Sequence, residues 1–334
     1  MPDDFVVVKL DFSNAFNSLR RDCLLESIAV ELPELYRFAY DSYAGCPTLQ
    51  AGANSIHSQE GTQQGDPLGS LEFCITVQPL LRRLISVIRL GYLDDFTLAG
   101  PADAVATDVR TIASEASCLG LHLNITKCEV SSKSAGPHLD KTEFNGFQFV
   151  PVDRLMLLGA PVTAGSAVDN AISDKVNVLK KVLSKLKSLQ VHDALVLLKN
   201  SLCIPKLQYL LRTSACYRSQ ELLAFDDLLR EGLSSILNVD LSKDQWLQAS
   251  LPVSAGGLGF RSAVALAPSA YLASAAGTRW LQHQILPAEF QQLPDQSFDT
   301  SIKHWTEVLG FPLPDESSMG RQAVWDSYTV CNTM

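Results

Sequence analysis

Three acidic residues stand where a sheet could gather them. Asp11 lies near the end of residues 5–12 (FVVVKLDF), a β-branched run with the character of a buried strand. Asp94 and Asp95 sit inside residues 91–100 (GYLDDFTLAG), which read as a hairpin with apolar strands on either side of an Asp-Asp turn and glycine at both ends. If that hairpin pairs beside the first strand, three carboxylates crowd one sheet edge, and their repulsion raises their pKa values and costs stability. Divalent cations remove the conflict, because oxygen-ligated Mg2+ is commonly held by one or two carboxylates plus substrate phosphates. Two such ions about 3.5–4 Å apart can activate an attacking hydroxyl and stabilise a leaving pyrophosphate. Asp-Asp by itself is no more than a good hairpin turn, so its meaning depends on its surroundings.

The elements that must position these acids follow from periodicity. Asn14 or Ser18 could start a helical stretch carrying Leu19, Leu24, Leu25 and Ile28. Residues 45–69, rich in Gly, Ser, Asn, Gln and Pro, read as loop with room for short strands. Residues 71–88 carry Leu71, Ile75, Leu81, Leu84, Ile85 and Ile88 at helical spacing, with Pro79 as a kink. A helix over 103–119 should end at Gly120, and short strands are expected near 121–124 and 144–150. Strand and helix alternate without regular βαβ spacing, which predicts an α+β fold: an antiparallel sheet backed by helices.

Composition shifts near Gly159-Ala160-Pro161. Residues 175–218 hold nine Lys and Arg against the single Asp193, so this segment is +8 in a chain whose net charge is −9. Val176, Leu179, Val182, Leu183, Leu186 and Leu189 fall on one helical face, leaving Lys180, Lys181, Lys185 and Lys187 on the other. Such a stripe is either a solvated face or a surface for a nucleic-acid backbone, and its concentration in an otherwise acidic chain favours the second. The 334 residues suffice for two or three domains, and 46% hydrophobic with 19% charged residues is globular composition. Eight scattered cysteines lack C-x-x-C spacing, which excludes a zinc finger and predicts a reducing compartment. With no leader-like start and no apolar run near ~20 residues, an intracellular protein without a membrane span is expected. None of the six histidines has metal-ligand spacing, and no nuclease signature surrounds Asp295 or Asp315.

The surroundings of the acids resemble the reverse transcriptases, in particular those of non-LTR retrotransposons. Residues 11–17 (DFSNAFN) look like motif A, 63–69 (QQGDPLG) like motif B and 92–95 (YLDD) like motif C. Residues 120–128 (GLHLNITKC) look like motif D and 157–161 (LLGAP) like motif E. Five motifs in family order imply a right-hand polymerase palm over 1–160, a helical thumb with the basic stripe over 161–250, and a C-terminal helical region of unassigned role over 251–334. The activity implied is RNA-directed DNA polymerisation: transfer of deoxynucleoside triphosphates to a DNA primer on an RNA template, with two Mg2+ ions (Mn2+ as substitute) and a nuclear location.

The resemblance also implies residue roles. Asp11, Asp94, Asp95 and the Phe12 carbonyl would hold the metals, and Lys127 would act as general acid for pyrophosphate departure. Phe16 would lie under the nucleotide sugar and exclude a 2′-hydroxyl, although such a residue is also an ordinary core aromatic. Gln64 and Gly65 would contact the incoming nucleotide, Tyr92 and Leu93 would face the primer end, and Gly159 would belong to the turn that grips the primer backbone. Two departures stand out. The family carries a fingers region before motif A, for which the ten residues ahead of Asp11 leave no room, so it is expected on a longer chain. Glu72 also occupies a position where the helix after motif B should be apolar. Three readings follow: a reverse transcriptase domain, a catalytically inactive palm–thumb remnant that binds nucleic acid or a protein, and an RNA-directed RNA polymerase, which Phe16 disfavours.

Overall fold

Val6, Val8 and Leu10 alternate with half-buried Phe5, Val7 and Lys9, so strand β1 (Phe5–Leu10) buries every second side chain. It is the middle strand of a five-stranded sheet ordered β4-β5-β1-β6-β7. Here β4 (Ile88–Tyr92) and β5 (Asp95–Pro101) form the expected hairpin, and β5 runs antiparallel to β1. On the other side of β1 lies antiparallel β6 (Glu129–Ser132), to which β7 (Gln148–Phe149) adds in parallel. The computed structural model describes residues 3–63, 65–133, 136–288 and 290–333, and the chain forms two compact units, Met1–Val152 and Asp153–Met334.

The first unit is α+β. The buried face of the sheet packs on α2 (Arg21–Glu31), α4 (Gly69–Arg82) and α5 (Ala102–Cys118), with Phe73, Val77, Val105 and Ile112 meeting Val8, Leu10 and Leu98 in one core. The short α1 (Ala15–Ser18) follows β1, α3 (Pro33–Tyr43) follows α2, and a two-stranded hairpin of β2 (Thr48–Ala51) and β3 (Asn54–His57) lies in the loop-rich stretch. Gly120, at φ 82°, follows α5 as expected.

Several boundaries differ from expectation. The helix anticipated over 71–88 stops at Arg82, because the buried Asp108 carboxylate accepts the N–H groups of Ile85 and Ser86 at 2.6–3.0 Å and turns the chain into β4. Pro79 is accommodated inside α4. The strand expected near 121–124 is a single bridge, Phe12 to Leu123, and that near 144–150 shrinks to β7. Instead, β6 carries the pairing; its sequence EVSS buries two serines and so shows no apolar alternation.

The second unit is largely helical. It opens with the small hairpin β8 (Met156–Leu157) and β9 (Ala160–Pro161), then α6 (Ser166–Leu186), α7 (Val191–Leu197), α8 (Ile204–Thr213), α9 (Gln220–Leu237), α10 (Lys243–Ser250), α11 (Ala263–Ile285), α12 (Gln296–Lys303) and α13 (Gln322–Thr333). Its main core gathers Leu179, Leu183, Leu207, Leu211, Phe225 and Leu229, and α11 runs from that core into a second cluster around Trp305 and Trp325. All eight cysteines are free thiols, and among the described residues no helix is long and apolar enough to cross a membrane.

Candidate active site

The ladder between β1 and β5 ends with Leu10 opposite Phe96, so Asp11 and Asp95 follow at the facing ends of the two strands. Across the hairpin Tyr92 pairs with Asp95, which makes Leu93-Asp94 the two-residue turn. The turn therefore falls one residue before the Asp-Asp expected, and Asp95 is the first residue of β5. Leu93 takes φ 58°, a left-handed conformation that costs an L-residue roughly 1–2 kcal/mol. Partial burial, then the charges of Asp94 and Asp11, push the Asp95 carboxyl above its ordinary value, while Lys9 works in the opposite direction.

Asp11 is fixed through its backbone: its carbonyl accepts the Asn124 N–H at 2.8 Å and its own N–H points at the Cys128 thiol at 3.5 Å. Phe12 is buried edge-on against Phe96, ring centres 5.1 Å apart. Lys127, on the turn after Leu123, brings its ammonium to 4.0 Å from Asp11 Oδ1 and stays mostly exposed. The donors fit divalent cations in kind, since they are hard carboxylate oxygens whose mutual repulsion a cation would relieve. Among the described residues, however, no three carboxylate, imidazole or thiol groups converge into a ready-made cage.

Phe16 is half-buried in α1 and stacks on Phe73 of α4, with ring centres 4.5 Å apart and planes within 20°. Gly65 takes φ 94° with open space where a Cβ would point, whereas Gln64 lies outside the described residues. The segment leading to them is strapped onto α1: Gly61 N–H donates to the Leu19 carbonyl at 2.7 Å and Thr62 N–H to the Phe16 carbonyl at 2.8 Å. Gly61 is required there, because at φ 71° a Cβ would overlap the backbone of Phe16 and Asn17.

Sequence reasoning missed the residues that hold this strap. Arg21 is buried and donates to the carbonyls of Ser58 (2.6 Å), Gly61 (3.0 Å) and Glu60 (3.1 Å) and to Ser58 Oγ (2.7 Å). Its guanidinium also lies 5.3 Å from the Tyr43 ring centre. Tyr43 donates its hydroxyl proton to Asp66 and accepts the Gln63 N–H at 3.1 Å, and Asp66 accepts the Leu68 N–H at 2.8 Å. Only Glu72 carried a signal, as a charge on an otherwise apolar face.

The remaining candidates behave as follows. Tyr92 is exposed. Gly159 lies in the second unit with Leu158 at the tip of the β8–β9 hairpin; both have positive φ, 81° and 49°, as a type I′ turn requires. Tyr209 of α8 donates to the Leu158 carbonyl at 2.6 Å and pins that turn. Lys180, Lys181 and Lys185 are exposed on α6 and Lys187 just after it, opposite buried Leu179, Leu183 and Leu186. Leu189, assigned to the apolar face, is instead exposed beyond the helix end.

A sheet with this arrangement of acids belongs to a known class. Residues 2–156 match the family described as reverse transcriptase (RNA-dependent DNA polymerase), and this part of the chain is a reverse transcriptase domain. Over 308 residues the chain is also 24% identical to the Retrotransposable element SLACS 132 kDa protein of Trypanosoma brucei gambiense. That alignment covers 87% of this chain and 25% of the relative, so the chain spans about a quarter of the relative's length. Among solved structures, telomerase from Candida albicans, in complex with a TWJ fragment of telomeric RNA, is similar at a TM-score of 0.32 and 12% identity, covering 74% of this chain and 46% of that one.

Proposed function

We propose that this chain carries the nucleotidyl-transfer site of an RNA-directed DNA polymerase, extending a DNA primer on an RNA template. The observation that carries the reading is the strand register that aligns Asp11 with Asp95, with Asp94 in the strained turn beside them. Strain at such a turn persists only where the surrounding structure over-determines it, and it is commonly found at functional sites. In this reading Asp11, Asp94 and Asp95, with the Phe12 carbonyl, hold two Mg2+ ions (or Mn2+) that supply positive charge to the primer 3′-oxygen and the departing pyrophosphate. Lys127, already beside Asp11, donates a proton to that pyrophosphate. Phe16, backed by Phe73, blocks a 2′-hydroxyl, and Gly65 lets the backbone approach the incoming deoxynucleotide. Tyr92 and Leu93 meet the primer end, the Leu158-Gly159 turn supports its backbone, and the four lysines contact phosphates without reading sequence.

The test is Mg2+-dependent primer extension on an RNA template. Wild-type chain should extend the primer and Asp94→Asn should not; equal extension by both would sink the metal assignment. Phe16→Ala should raise ribonucleotide incorporation, and an unchanged sugar preference would return Phe16 to the core. Replacing the four lysines by alanine should reduce the salt dependence of duplex binding by about 0.9 in log–log slope for each phosphate no longer neutralised. Duplex binding without extension by the wild-type chain would favour the binding remnant instead.

A further inference from the structure

Glu72 is a carboxyl in a place built for a hydrocarbon. It lies on the buried face of the first turn of α4, 2% exposed, and neither carboxyl oxygen has a hydrogen-bond partner among the described residues. From α3 it is faced by Tyr43, from the 65–69 turn by Asp66, and beyond Tyr43 lies Arg21 of α2, whose N–H groups are already engaged by Ser58, Glu60 and Gly61. Of the other charged groups on elements packed against α4, Glu26 of α2 is exposed, Asp22 pairs with Arg20, and the rest are engaged elsewhere. Glu31 faces Arg82 at 3.7 Å, Glu115 pairs with Arg83, Asp108 holds Ile85 and Ser86, Arg89 bonds the Ser86 carbonyl, and the Cys74 thiol points at the Leu93 backbone. The charge that bears on Glu72 is therefore a like one, Asp66.

An ionised Glu72 would oppose Asp66 inside the unit, whereas a neutral carboxyl there costs far less. Asp66 organises the turn, since it accepts from both Tyr43 and the Leu68 backbone. We infer that Glu72 is a positioning residue for the 65–69 turn: protonated, it leaves Asp66 free to hold Tyr43 and Leu68, and its ionisation releases the turn. Burial, with Asp66 second, pushes this carboxyl up to about 7 against a smaller opposing pull from the Tyr43 hydroxyl, so both forms are populated near neutrality. The functional consequence rests on the nucleotide-site reading above: releasing the turn should weaken binding of the incoming nucleotide.

Three measurements on the whole chain test this, two of them independent of activity. The KM for deoxynucleotide in primer extension should rise about five-fold between pH 7 and 8 in the wild type, as the protonated fraction falls from about a half to about a tenth, with kcat changing less. Glu72→Gln, which keeps shape and neutrality, should show no such rise. Separately, hydrogen exchange without ligands should show the Asp66, Leu68 and Gly69 amides losing protection with pH in the wild type, after correction for intrinsic exchange, and keeping it in Glu72→Gln. The infrared C=O band of a protonated carboxyl should titrate over the same range and be missing in the variant. Identical exchange profiles, or no such band, overturn the role of Glu72. Exchange profiles that differ in a chain that extends no primer leave this role standing and defeat the polymerase reading instead.

Discussion

Glutamine at position 72 should alter the pH dependence of stability more than stability at any one acidic pH. In the unfolded chain Glu72 titrates near 4.5, whereas folding raises it to about 7, chiefly by burial. A folded value above the unfolded one means that the native chain holds a proton the unfolded chain has already released. Unfolding free energy must then fall as pH rises from about 4.5 and level off above about 7. Each unit of that window is worth about 1.4 kcal/mol, so the wild type should lose about 3 kcal/mol that Glu72→Gln keeps. The side chain is only 2% exposed, so solvent screening removes little of this. Urea unfolding of both chains at a series of pH values isolates the effect, because the other carboxylates and histidines contribute to both curves. A stability difference constant to about 0.5 kcal/mol from pH 5 to pH 8 would refute the reasoning, and with it the claim that Glu72 stays neutral when folded.

Arg21→Met should remove four hydrogen bonds to the 58–61 strap and the stacking on Tyr43, destabilising the chain by about 3 kcal/mol in urea unfolding; a loss under 1 kcal/mol would show that the strap holds without it. Asp95→Asn should abolish primer extension yet stabilise the chain in Mg2+-free buffer by roughly 0.5–1 kcal/mol, since it removes one of three crowded, partly exposed charges. That gain should fade in 1 M salt, where the Debye length is about 3 Å, and a destabilised variant would contradict the charge-crowding account. Leu158→Asn, at a half-exposed site with φ 49°, should stabilise the chain by about 0.5–1 kcal/mol, because asparagine tolerates this conformation better than leucine; thermal unfolding reads it, and a lowered Tm would mean that the leucine side chain matters more than its backbone.

What could be read from the sequence was what period and composition encode. The β1 run announced itself as a continuous β-branched stretch and the 91–100 hairpin by apolar segments bracketed by glycines, and α5 ended just before Gly120, which takes the left-handed conformation that closes it. The position of the turn was not legible at single-residue precision, since local preference favours Asp94-Asp95 in a two-residue loop, whereas the Tyr92–Asp95 pairing imposes Leu93-Asp94 despite the strained leucine. Strand β6 was invisible because Ser131 and Ser132 are buried without being apolar. The end of α4 was invisible for a different reason: the group that stops it, Asp108, belongs to another helix. Arg21 and Tyr43 are far from Asp66 and Glu72 in the chain, and nothing in their spacing says that tertiary packing assembles them.

These particulars link the two halves of the site mechanically. The chain leaves β1 at Asp11 and forms α1, whose Phe16 and Leu19 carbonyls accept the strap at Thr62 and Gly61. The strap precedes the 65–69 turn, the turn opens α4, and α4 returns Phe73 to stack on Phe16. The loop is closed by backbone hydrogen bonds and ring contacts, not by flexible surface side chains, so a displacement of the turn must be felt at Phe16. The backbone of Asp11 is tied down separately by Asn124 and Cys128, and Asp95 is held by its pairing with Tyr92 across the hairpin. A perturbation beneath the turn should therefore act first at Phe16 and Gly65 and last at the edge that carries Asp11 and Asp95. This ordering is why the Glu72 test reads KM separately from kcat.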